Sequence, residues 1–217
     1  MPVVKNKWGS PALTTGLVVQ NLDPTTAIDV TVTCYDYTTG AASNCGQKIG
    51  LAARASAPFW MGSIFGTTVF SGSAVITTNP ARPIATIVQE SDAANALVYA
   101  ANAPLSGSLT AYAPELYGSY APSGPRWDSG LSLQNTSAAT ASITLHLYDS
   151  GGASVYTSSW SVAPYATKIV YPLPVAEGFI GSAWVSADRT IAVSATHVVS
   201  PASSNDDAWM AYLGVNR

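Results

Sequence analysis

The phrase Gly16-Leu17-Val18-Val19-Gln20-Asn21 returns as Gly130-Leu131-Ser132-Leu133-Gln134-Asn135. The copies lie 114 positions apart (130 − 16) in a chain of 217 residues. A phrase repeated at about half the chain length constrains the fold to two copies of one unit. Each copy is a short apolar run closed by Gln-Asn, the composition of a strand meeting its turn.

The surrounding segments repeat in the same order. In the first half, strands are expected at Thr14–Leu22, Ala27–Tyr37, Lys48–Leu51, Ala57–Met61, Ser71–Thr78, Arg82–Glu90 and Leu97–Ala101, after a short extended segment Pro2–Asn6. The clearest is Ala27–Tyr37, with Ile28, Val30, Val32 and Cys34 on one face and Asp29, Thr31, Thr33 and Tyr35 on the other. In the second half they fall at Ser129–Asn135, Ala141–Tyr148, Val155–Val162, Ala166–Tyr171, Thr190–Val198 and Ala208–Leu213. Ile143, Leu145 and Leu147 face inward there, and Thr144, His146 and Tyr148 outward. Gly181-Ser182-Ala183 repeats Gly72-Ser73-Ala74, each two residues after a Phe (Phe179, Phe70). No window holds helical spacing. About seven short strands per copy describe two antiparallel β-sandwiches, residues 1–108 and 109–217, with a packed linker at Ala111–Tyr117. One large barrel or jelly roll would not need a complete set of inward-facing strands in each copy.

Several further features recur: Trp before the phrase, Tyr-Asp at the end of a strand, Ala-Pro before a strand, Phe-x-Gly-Ser-Ala, Ile-Ala, and a closing Tyr. The second copy carries them as Pro114, Trp127, Gly130–Asn135, Tyr148-Asp149, Ala163-Pro164, Gly178–Ala183, Ile191-Ala192 and Tyr212. The first departs with Ala52-Ala53 and Val69-Phe70-Ser71, and adds two cysteines. This pattern resembles a tandem repeat of about 110 residues in secreted and surface proteins of bacteria. The resemblance implies immunoglobulin-like sandwiches and a surface location, and assigns no catalytic residue.

Charged residues make up only 10% of the chain against a hydrophobic content of 47%. The usual charged share is roughly one quarter, so Ser, Thr, Asn, Gln and Tyr must cover the surface, as on exported β proteins. The net charge of −3 and scattered Lys and Arg argue against nucleic acid. No run would span a membrane, and the first residues lack the pattern of a signal peptide. If the protein is exported, the signal is outside this chain. Cys34 and Cys45 have their midpoint at Thr39-Gly40, so a hairpin turning there sets them opposite one another, within reach of a disulfide. Two buried free thiols are the alternative.

Chemistry is hard to find. His146 reads as an exposed strand residue. His197 occupies the place of Glu90 in the first copy, which suggests a strand end or a contact between units. Asn205-Asp206-Asp207 lacks the ligand spacing of a calcium loop. The carboxylates Asp92, Glu115, Glu177 and Asp188 show no glycosidase pairing, and no nucleophile elbow or phosphate loop occurs. Asn135-Thr136-Ser137 is a glycosylation sequon. Trp8, Trp60, Trp127, Trp160, Trp184 and Trp209, with Tyr112, Tyr117 and Tyr120, could build a sugar-stacking platform, although packing explains most of them.

The expectation is a non-enzymatic extracellular structural protein with no metal, no cofactor and no membrane span. It would be a subunit of a surface assembly or filament. The chain begins and ends at repeat boundaries, so its two ends match the two sides of the internal join, and head-to-tail contact would build an open fibre. Pro114, Tyr112, Tyr117, Trp127, Glu90 and His197 are the assembly candidates, and Cys34 and Cys45 the disulfide. The partners are further copies or other surface proteins. A polysaccharide-binding module or the spacer of a larger adhesin is the alternative.

Overall fold

The fold is described from a computed structural model covering all residues except 10, 11, 93–96, 105, 123, 201–208 and 217, with backbone alone at 97–99, 200, 209 and 216. The cluster Asn205–Asp207 thus lies outside the described residues. The chain is all-β with antiparallel sheets, and it divides into two compact units, Val3–Leu105 and Ser106–Arg217.

The first unit contains β1 (Val4–Asn6), β2 (Thr14–Asn21), β3 (Ile28–Asp36), β4 (Ala42–Leu51), β5 (Ser56–Trp60), helix α1 (Met61–Phe65), β6 (Phe70–Asn79), β7 (Ile84–Ser91) and β8 (Leu97–Asn102). One sheet runs β1-β6-β3-β4 and the other β5-β2-β7-β8. Leu17 and Val19 from one sheet share a single core with Ile28, Val30 and Val32 from the other. The unit is sandwich-like. The alternation in β3 is realised as read: Ile28, Val30, Val32 and Cys34 are buried.

The second unit contains β9 (Ser108–Gly118), β10 (Arg126–Asn135), β11 (Ala141–Asp149), β12 (Ser154–Val162), β13 (Thr167–Val170), β14 (Phe179–Ser200), β15 (Trp209–Leu213) and β16 (Val215–Asn216). The repeated Gly181-Ser182-Ala183 and the expected strand Thr190–Val198 lie on one continuous 22-residue strand, β14. Its first part pairs β11 and β9, and its last part pairs β10 and β15. In the first unit, Pro80 and Pro83 interrupt the same path, because proline has no N–H for a ladder, and β6 and β7 result. The supposed linker Ala111–Tyr117 is itself strand β9 of the second unit.

The first unit differs from expectation in two further places. The strand Ala57–Met61 ends at Trp60, and α1 follows. The chain needs one turn to leave edge strand β5, and it stops at Gly66 (φ 56°), whose N–H closes on Gly62 O. The return strand expected at Lys48 begins at Ala42, because β4 is an exposed edge whose bulges break the alternation.

The Cys34–Cys45 disulfide forms, with Cα atoms 5.7 Å apart. The two are not directly opposite, since Cys34 is in register with Ser43. A bulge at Gly46 (φ 122°) turns Cys45 into the core, where both sulfurs are buried.

The repeated phrase is explained by its last residue. Asn135 is fully buried, and its Nδ2 donates to the carbonyls of Ala139 (2.7 Å), Val162 (3.1 Å) and Ala163 (3.0 Å). Its Oδ1 accepts from Ser137 N (2.9 Å). Asn21 repeats the clamp on Thr26, Leu51 and Ala52, with Oδ1 accepting from Asp23 N. The preceding glutamines, Gln20 and Gln134, reach the carbonyls of Arg54 and Tyr165. Arg54 and Tyr165 sit at φ 63° and 60°, the same left-handed position in each copy. The sequon asparagine is therefore consumed by the fold and is no glycan acceptor. The repeated Phe-x-Gly-Ser-Ala has a similar basis. A Cβ at Gly72 would overlap the carbonyl oxygen of Tyr35, and one at Gly181 that of Tyr148.

Candidate functional site

Two polar features survive once core and turns are accounted for. The first is a buried node built at equivalent positions of both units. In the first unit, Glu90 is fully buried on β7, and Lys5 Nζ on β1 reaches it at 2.9 Å. Thr15 on β2 donates its hydroxyl to Glu90 Oε1 at 3.3 Å, and that hydroxyl accepts from Lys5 N at 2.8 Å. In the second unit, Ser129 on β10 stands for Thr15 and accepts from Tyr117 N at 2.7 Å. His197 on β14 stands for Glu90, with Nδ1 2.7 Å from Ser129 Oγ. Tyr117 takes the place of Lys5, its ring 5.3 Å from the imidazole, and the Tyr212 ring lies 5.5 Å from the imidazole.

Ser129 beside His197 has the composition of a nucleophile and its base, but the geometry supplies a lock. Ser129 is fully buried, and its oxygen already engages a backbone N–H and the imidazole. Burial pushes the His197 pKa below its ordinary value, with the Glu115 carboxylate pulling weakly the other way. Tyr117 donates its hydroxyl to Glu115 Oε1, which raises its own pKa to about 12. Burial raises Tyr212 to about 12, and its hydroxyl donates to Glu115 O at 2.5 Å. Trp127 and Tyr120 complete the group around Tyr117, at 6.2 and 5.5 Å. Glu90 and His197 lie near the ends of β7 and β14.

A pH dependence follows. The unfolded chain protonates His197 near pH 6.5, and the folded chain does so only at lower pH. The unfolded state therefore binds more protons just below pH 6.5, so this contribution is complete above that pH and is lost as pH falls through the folded pKa. Unfolding free energy measured against pH should show this slope, and His197→Gln should reduce it, leaving the part with the same sign that comes from the buried Met1 amino group, lowered by burial to about 5. An unchanged profile in the variant would assign the slope elsewhere.

The second feature lies on the outer face of β12-β11-β14-β9-β16. Register places Thr157, His146, Trp184, Tyr112 and Val215 side by side, one per strand. His146 stacks on Trp184 with centroids 4.9 Å apart at 17°, and its Nδ1 lies 3.1 Å from Thr157 Oγ1. Tyr112 is 38% exposed. The next row is made of hydroxyls, Ser159, Thr144, Ser186 and Thr110, again by register. Neither row carries a carboxylate, Lys or Arg. The distance from His146 to Tyr112 is two strand spacings, about 10 Å. The same face of the first unit aligns Asn44, Thr33 and Val75 and has no aromatic row.

Of the residues expected at an assembly surface, Tyr112 is in this row and Pro114 is exposed further along β9. His197 is buried in the node of the second unit, with Tyr117 and Trp127 half-buried around it, and Glu90 is buried in that of the first. Among the other tryptophans, Trp8 packs edge-on against Tyr37, and Trp160 leans on the core under Lys168. Neither the node nor the row is a sequence motif, because each is assembled from three or more strands. Among the described residues no group of three His, Cys, Asp or Glu side chains is placed to hold a metal, and no helix is long and apolar enough to cross a membrane.

No protein-family profile and no curated protein matches the chain. Among solved structures, one titled Crystal Structure of Thermotoga maritima 1070 is 15% identical with a TM-score of 0.42, over 51% of this chain and 96% of that one. The Anabaena sensory rhodopsin transducer is 18% identical with a TM-score of 0.34, over 40% of this chain and 84% of that one. At these TM-scores the likeness carries no argument about fold or function.

Proposed function

We propose that the chain is a non-enzymatic, extracellular pair of immunoglobulin-like repeats whose second unit binds neutral polysaccharide. The reading rests on one observation, the outward-facing row His146–Trp184–Tyr112, in which Tyr112 is exposed and His146 and Trp184 are half-buried, bordered by the hydroxyl row Ser159–Thr144–Ser186–Thr110. The faces of sugar rings are apolar and stack on aromatic rings, while their rims need hydroxyl partners. Two rows without charge suit an uncharged polymer. The low charge of the chain and its disulfide favour an extracellular setting.

The test is binding of the intact chain to cellulose, chitin and xylan and to a glycan array. Trp184→Ala should weaken binding about tenfold or more, the scale of one lost ring contact. Trp60→Ala, in the first unit, should not. Absence of binding to every polymer, or binding indifferent to both Trp184→Ala and Tyr112→Ala, would remove the reading.

The second reading is a subunit of a cell-surface assembly. It draws on one observation, the open and uncharged edge of β12.

A further inference from the structure

The described sheet edges are not alike. β5 carries Pro58 at its centre, which has no N–H to offer. β4 has two register shifts, left-handed glycines at 46 and 50, and Lys48. β13 has four residues including Lys168, and β1 three including Lys5. β8 and β15 are uncharged but only six and five residues long. These are the usual ways of keeping an edge from pairing. β12 has none of them. Its nine residues Ser154–Val162 include no proline, glycine or charge, and it pairs on one side only, with β11. Its one register shift falls at its start, so the edge is regular from Tyr156 onward.

We propose that β12 pairs antiparallel with β12 of a second copy, making a closed two-fold dimer. This sharpens the assembly reading, and it shares Thr157 and Ser159 with the two outer-face rows described above. The strand is close to self-complementary. The register that overlaps the whole strand is centred on Ser158 and sets Tyr156 against the partner's Trp160, and Thr157 against the partner's Ser159. Tyr156 and Trp160 point inward, half-buried, and lean on the core of the second unit. Two symmetry-related Tyr–Trp pairs would then extend that core across the axis, the kind of cross-strand pair that stabilises sheets. Thr157 and Ser159 are exposed on the outer face, so hydroxyls meet hydroxyls there. An isologous contact of this kind consumes both edges and stops at two copies, unlike a head-to-tail fibre.

Sedimentation of the intact chain across a concentration series should show a monomer–dimer equilibrium. Ser158→Cys, on the axis, should crosslink to itself under mild oxidation, while Ser161→Cys, which would face Val155, should not. Thr157→Lys with Ser159→Lys sets like charges opposite one another and should abolish the dimer. Mixing that protein with a Thr157→Glu, Ser159→Glu copy should restore a heterodimer. The mixing arm also separates loss of the interface from loss of folding. A monomer at every concentration, an open-ended polymer, a dimer that survives the double lysine variant, or equal crosslinking at both cysteines would each overturn the proposal.

Discussion

Asn135→Ala should destabilise the second unit by about 3–4 kcal/mol, because carbonyls that shared one buried amide lose their donor together. Chemical unfolding followed by tryptophan fluorescence would measure it. Asn135→Asp is the sharper variant. It keeps the volume and the acceptor that takes Ser137 N, but turns a carboxylate oxygen toward the carbonyls of Ala139, Val162 and Ala163. It should be at least as damaging as Ala, although it leaves no cavity. If Asp were tolerated and Ala were not, the clamp would be a matter of packing and not of the amide hydrogens. Asn21→Ala should do the same to the first unit, where Thr26, Leu51 and Ala52 are the carbonyls held.

The second large effect is expected at Lys5 and Glu90. Their contact is 2.9 Å, with Glu90 side-chain exposure of 0% and Lys5 of 13%. Removing one partner of a buried pair strands the other charge in a poor solvent, typically at a cost of about 3–5 kcal/mol. Lys5→Met should therefore be strongly destabilising. Glu90→Met should be too, since it also takes an acceptor from Thr15. Replacing the whole pair by well-packed apolar groups is often neutral or better. The double variant Lys5→Met, Glu90→Met should accordingly recover much of the loss, with a coupling energy well outside additivity. Simple addition of the two single losses would show that the pair does not act as a unit.

The two nodes also show why part of this molecule was legible and part was not. Features written along one strand could be read: the alternation in β3 and β11, the repeated phrase, and the outward placement of His146. Those written across strands could not. Lys5 and Glu90 look like ordinary surface residues until β1, β2 and β7 are placed side by side. The aromatic row takes one residue from each of several strands that are distant in sequence, so no spacing announces it. Local exceptions leave no sequence signal for a related reason. The start of β4 is an exposed bulged edge, and α1 is a single turn, so neither needs an apolar period. The cysteine spacing points to the disulfide pairing but not to its register, because a bulge cannot be counted from that spacing.

The divergence of the two nodes has a consequence for how the chain sorts itself while folding. Two copies sharing one backbone plan invite exchange, in which a strand of one copy docks in the frame of its sibling. If β9 docked beside β6, Tyr117 would stand where Lys5 belongs, and Glu90 would be left in the interior with no cation. If β1 docked beside β14, Lys5 would bring a cation to an imidazole that burial already keeps from accepting charge. Each frame thus accepts its own strand and rejects its twin's, at the cost of a stranded charge. The double methionine variant erases the distinction in the first unit. It is the chain in which exchanged strands should appear on refolding.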